Sequence, residues 1–105
     1  MSDPLAGIKK KNRDRLHIGM DILRFLSWTK VPYSRTRILY KANVSWGILE
    51  NVLARLLKAG WTTEQYKGIR VYCTITPDGL AALKSYTELR AKFDQEVSGL
   101  SETLP

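Results

Sequence analysis

The sequence predicts a mainly α-helical domain with a small β component: three helices, then a two-stranded hairpin, then one long terminal helix. Three observations carry this expectation. Ile48, Leu49, Val52, Leu53, Leu56 and Leu57 form a single apolar stripe, the pattern of an amphipathic helix. Residues 61–66 and 69–75 are rich in aromatic, Thr and β-branched side chains and flank Lys67-Gly68; a glycine able to take positive φ between two such runs signals a hairpin. Thr76-Pro77 precedes a segment whose apolar residues lie three or four apart, as a cap followed by proline at the first helical position would.

Taken in chain order, residues 1–13 combine Pro4 and Gly7 with the cations Lys9, Lys10, Lys11 and Arg13. With little to bury, they are expected to form a mobile basic arm. Leu16, Ile18, Ile22, Leu23 and Leu26 then recur near helical spacing, with Arg15, Asp21 and Arg24 between them, so a first helix is expected over 14–27, ending before Pro32. Ser34 or Thr36 can cap a short second helix running to Ala42, because a hydroxyl oxygen accepts an unpaired N–H of the first turn. Asn43 suits a tight turn. Ser45 caps the leucine-striped third helix, which Gly60 terminates. The final helix is expected over 77–98, ended by Gly99, with 99–105 a frayed tail. The chain thus divides into an arm (1–13), a folded domain (14–76) and a terminal coiled-coil-like helix (77–98).

Composition narrows the function. The 105 residues fit one domain, and 44% hydrophobic with 26% charged residues is ordinary for a globular fold. The net charge is +7, and it is uneven. Residues 1–76 carry +9 and residues 77–105 carry −2, so the basic surface belongs to the front of the chain. A polyanion is the commonest partner for such a domain. The single cysteine, Cys73, cannot form an intramolecular disulfide. No secretion signal and no run of about 18 apolar residues is seen, so a cytoplasmic, nucleoid-associated protein is expected, with no membrane partner.

Two helices joined by a tight turn and followed by a hairpin form the arrangement in which the second helix enters the DNA major groove and the hairpin reaches along the backbone. The stretch TRILYKANVS (36–45), then LENVLARLLKAGW (49–61) and YCTITPDGLAALKSY (72–86), resembles the small archaeal winged helix-turn-helix DNA-binding proteins. These include chromatin-associated and regulatory types with a C-terminal coiled coil. The similarity covers residues 14–95, and its most specific part is the pattern ending at Ser45. It implies a homodimer held by the long C-terminal helices and binding to duplex DNA with little sequence preference. Trp46, Gly47 and Glu50 depart from the polar or basic residues that relatives tend to carry there.

With Leu49, Leu53 and Leu56 facing inward, Ser45, Trp46, Gly47, Glu50, Asn51 and Arg55 lie toward the outer face of the third helix. Asn51 can pair with adenine and Arg55 with guanine or a phosphate; ordinary solvated positions are the alternative for both. Trp46 is read first as packing at the helix start, with an exposed wedge as the alternative. Gly47 lets a helix N-terminus approach a phosphate, whereas Glu50 repels one. Arg35, Arg37 and Lys41 are placed to grip the backbone. Lys67, Gly68 and Arg70 make a basic hairpin tip, and the arm can follow a groove. Arg15 and Arg24 are read as solvent contacts. Leu80, Leu83, Tyr86, Leu89, Phe93 and Val97 form a seam, broken as a strict heptad by Thr87, Arg90 and Asp94, that either joins a second chain, with Leu83, Tyr86, Leu89, Arg90, Phe93 and Val97 at the interface, or folds back on its own domain. His17 has no metal-ligand companions, and Asp14, Asp21, Glu50 and Glu64 look scattered and unpaired. No phosphate-binding glycine loop or nucleophile motif occurs, so no enzyme activity, metal or cofactor is expected. The alternative partner is a protein of the transcription machinery.

Overall fold

The computed structural model describes residues 13–29 and 31–103, with side chains through residue 95. Its elements are α1 (Arg15–Trp28), β1 (Tyr33–Ser34), α2 (Arg35–Ala42), α3 (Trp46–Lys58), β2 (Thr62–Lys67), β3 (Arg70–Ile75) and α4 (Pro77–Thr103). The domain is mainly helical and has the winged helix-turn-helix arrangement.

Local chemistry sets each helix boundary. The Asp14 carboxylate accepts from the His17 amide at 2.7 Å, and the Ser34 and Ser45 hydroxyls accept from Arg37 and Ile48 at 3.3 Å. Each cap satisfies an amide that has no partner within its helix. α2 stops at Asn43, which takes the left-handed conformation at φ 55° while its N–H donates to the Leu39 carbonyl. α3 closes with Gly60 at φ 80°. There the Gly60 amide donates to Leu57 and the Trp61 amide to Leu56, both at 3.0 Å, the paired bonds of a Schellman ending.

The core is built mainly from three helices. Ile18, Met20, Ile22, Leu23 and Leu26 of α1 meet Ile38 and Ala42 of α2 and Leu49, Val52, Leu53 and Leu56 of α3, with Cys73 of β3 closing one end. A Cβ on Gly19 would lie 3.3 Å from Leu56 and 3.6 Å from Val52, so the bare glycine lets α1 and α3 cross closely. Leu83 and Tyr86 of α4 pack on this core from outside.

The antiparallel sheet has three strands in the order β1-β3-β2. β2 and β3 pair from Thr62↔Ile75 to Lys67↔Arg70, and β1 adds Tyr33↔Cys73 and Ser34↔Tyr72. The third strand was not anticipated: two residues beside Pro32 carry no periodicity to detect. The hairpin turn is Gly68-Ile69 rather than Lys67-Gly68, because Lys67 remains in the ladder opposite Arg70 while Gly68 takes the positive φ.

α4 is pinned at its root. The Thr76 hydroxyl donates to the Gly60 carbonyl at 2.6 Å and accepts from the Gly79 amide at 2.9 Å, while the Thr76 amide donates to the Trp61 carbonyl at 3.0 Å. At its other end α4 continues through Gly99 to Thr103, which corrects the expected stop. An interior glycine costs a helix only about 1 kcal/mol, and no proline follows until Pro105. Among the described residues no helix is long and apolar enough to cross a membrane.

Candidate nucleic-acid interface

Between the start of α2, the start of α3 and the wing lies an open groove of about 610 Å³, edged by Thr36, Arg37, Trp46, Ile69 and Arg70. No acidic residue lines it. Three of the sequence-derived cations, Arg35 and Arg37 from α2 and Arg70 from β3, therefore converge although the strand lies far from the helix in sequence. Tyr33 holds the Arg37 guanidinium from below, with the charge 5.0 Å from the ring centroid. Lys67 similarly sits 5.6 Å from the Tyr72 ring. Such cation–π contacts orient a charge without neutralising it.

Arg35 has a different task. Its guanidinium pairs with Glu64 at 2.7 Å, and the Glu64 side chain is only 10% exposed. The Tyr66 hydroxyl donates to the other Glu64 oxygen at 3.4 Å. This bridge ties the wing to the start of α2. Cys73 lies close by, and burial pushes its thiol up to about 11, the Glu64 charge adding to the shift and Arg35 opposing it. Glu64 thus departs from the scattered-acid reading.

Asp21 departs from it as well, meeting Arg13 at 2.8 Å, Arg24 at 3.1 Å and the His17 imidazole at 3.5 Å. Arg13 also donates to the Ala42 carbonyl. It is consequently anchored against the α1–α2 junction rather than belonging to an arm. Lys9, Lys10 and Lys11 lie outside the described residues. Arg13, Lys41, Asn43 and Ser45 edge a second recess, of about 390 Å³, at the turn between α2 and α3.

On α3, Trp46 is 44% exposed and borders the first groove, which favours the wedge reading over packing. At 100° per residue, the burial of Leu49, Val52, Leu53 and Leu56 places Gly47, Asn51, Ala54 and Lys58 in the outermost row. Lys58 is exposed and was missed, although its seven-residue spacing from Asn51 could have revealed it. A Cβ on Gly47 would meet nothing within 4 Å, so no internal contact demands that glycine. Glu50 is exposed on the Trp46 side. Arg55 is not brought to the groove: it stands on the opposite flank of α3, where it and Arg15 edge a niche of about 150 Å³ floored by Gly19, Val52 and Leu56.

Along α4, Leu83 and Tyr86 are half-buried against their own core. One to two turns further on, Leu89 and Phe93 are 70% and 65% exposed, and Arg90 is exposed beside them. The Val97 side chain lies outside the described set. No cluster of three or more metal-ligating side chains occurs among the described residues.

Comparison with known proteins agrees with the fold. A family profile described as winged helix-turn-helix covers residues 12–93. No curated protein matches the chain. Among solved structures, it is similar to Sso10a-2, a DNA-binding protein from Sulfolobus solfataricus, at 23% identity and a TM-score of 0.69, over 89% of this chain and 98% of that one. A transcriptional regulator from Clostridium thermocellum aligns over 100% and 99% of the two chains at 20% identity and a TM-score of 0.61. Bordetella bronchiseptica BpsR, whose DNA binding is regulated by 6-hydroxynicotinic acid, aligns over 75% of this chain and 57% of its own at 18% identity and a TM-score of 0.65. At these identities the likeness is one of fold.

Proposed function

The chain belongs to the winged helix-turn-helix family, and on that footing we propose that it binds double-stranded DNA as a homodimer. It would act as a transcriptional regulator or a chromatin-type architectural protein, without catalysis or cofactor. The observation that carries the proposal is the acid-free groove in which Arg37 and Arg70 flank the exposed start of α3. Fold neighbours described as a DNA-binding protein and a transcriptional regulator support the same reading.

In this mechanism α3 lies in the major groove with Gly47, Asn51 and Lys58 toward the base edges. Ser45 and the bare N-terminal turn of α3 meet a phosphate, since unpaired amides and the helix dipole favour an anion there. Arg37 and Lys41 grip the backbone on one side, and Lys67 and Arg70 do so along the wing. Base contacts add only a modest preference, because the outermost row of α3 offers two small residues, one amide and one amine. Two such domains joined through α4 would address neighbouring grooves. The coiled-coil character of that helix, and a cytoplasmic, nucleoid-associated location, are parts of this proposal.

Counterion release supplies the main energy. If each half neutralises about four phosphates, log K falls against log salt with a slope of roughly −7 for the dimer. A mobility-shift titration of random duplex across salt concentrations tests this. Exposed Trp46 beside Glu50 favours a second reading, a module that binds a protein of the transcription machinery. Such a module would show no steep salt dependence on DNA.

A further inference from the structure

The wing tip breaks three local rules within four residues. Ile69 is 100% exposed, more than any other large apolar side chain described. It occupies a two-residue turn behind Gly68 at φ 62°, where Asn, Asp, Gly or Ser is ordinarily found and a β-branched side chain gains nothing from its shape. The pair closing that turn is Lys67 opposite Arg70, and like charges directly across a ladder repel. A tip shaped for folding alone would carry a polar turn residue and opposite charges. This one carries an apolar point between two cations.

From these observations we propose that Ile69 is a wedge that enters the minor groove of duplex DNA and bends it, a step that rests on the DNA-binding reading above. The minor groove offers what the tip lacks: phosphates on both walls to take Lys67 and Arg70, and stacked base edges on its floor to take an apolar side chain. Isoleucine is among the residues that unstack a base step in this way, kinking the duplex by about 20–90°. Reach agrees as well. A six-residue strand projects the tip about 17 Å from its buried root at Thr62, about half of the roughly 34 Å helical turn of DNA. Ile69 and Arg70 border the same groove as Arg37 and Trp46, which makes the tip an extension of the α3 surface rather than a separate patch. An acidic protein or an anionic lipid surface would satisfy the cations equally but gives no role to that continuity.

The test uses the full chain and a short duplex carrying a donor and an acceptor dye at its two ends. Wild type should raise energy transfer on binding. Ile69→Ala, whose side chain leaves only solvent, should keep the far-UV circular dichroism and the salt slope, lose the gain in transfer and bind up to about sixtyfold more weakly, the full transfer of three apolar carbons back to water. Ile69→Leu should restore the bend. Equal transfer by wild type and Ile69→Ala, or binding by wild type without any bend, overturns the wedge and leaves DNA binding standing. If wild type does not bind duplex at all, the wedge falls together with the DNA-binding reading.

Discussion

Gly79 leaves no room for a side chain at the root of α4. A Cβ there would collide with the Trp61 carbonyl and lie 2.8 Å from Ile75, and the obstacle is backbone that cannot turn aside. Gly79→Ala should therefore cost about 1–3 kcal/mol by overpacking and lower the midpoint of thermal unfolding by several degrees, read by circular dichroism. The Thr76-x-x-Gly79 spacing is legible in sequence as a cap, but the reason for its glycine is not, since the obstacle belongs to a turn 18 residues earlier. Glu64 was illegible for a similar reason, its partner Arg35 standing 29 residues away. Cys73 makes a pH-dependent prediction. With its folded value raised to about 11 by burial against an unfolded value of about 8.5, its contribution to stability is fully present below the unfolded value and lost as pH rises toward 11. Wild type should therefore lose stability relative to Cys73→Ala across that window, and its thiol should resist alkylation at pH 8 until the chain unfolds. Rapid alkylation of the folded protein would refute the burial.

Among the elements, α3 was the most legible, because its apolar stripe, serine cap and closing glycine all point to one helix. β1 and the end of α4 were the least, the first too short to have a period and the second marked by a glycine that the helix absorbs. The flanks of α3 also carried no signal of their own. Arg55 and Trp46 both read as outward-facing, yet α1 borders one flank and the wing borders the other, a distinction set by packing between elements. That division makes a prediction for binding. Arg37→Ala and Arg70→Ala should each reduce the magnitude of the salt slope by about 0.9 per protomer, one phosphate apiece, whereas Arg55→Ala, beside Arg15 and away from the groove, should change it less. Fluorescence anisotropy titrations at several salt concentrations would show the ranking. An Arg55 effect larger than that of Arg37 would mean that DNA approaches from the α1 side.

At the scale of the whole molecule, charge and shape divide the chain into two parts. The front of the chain carries +9, and the part that forms α4 and the residues after it carries −2, while the 27-residue helix spans about 40 Å. The root of α4 spends Leu83 and Tyr86 on its own core, while Leu80 is half exposed and Leu89 and Phe93 are more exposed still, so in the proposed dimer Leu89 and Phe93 meet the second chain. A truncation that removed Tyr86 would confuse folding with assembly. The pair Leu89→Ser and Phe93→Ser alters neither the core nor the groove, and it should convert the proposed dimer into a monomer by light scattering with the folded spectrum intact. Because each half then binds alone, the slope of log K against log salt should fall from roughly −7 to about −3.6, the value for four phosphates. A wild-type chain that scatters as a monomer would remove the dimer while leaving the groove its own slope of about −3.6. A double variant that stays dimeric with the full slope would place the second chain on some other face.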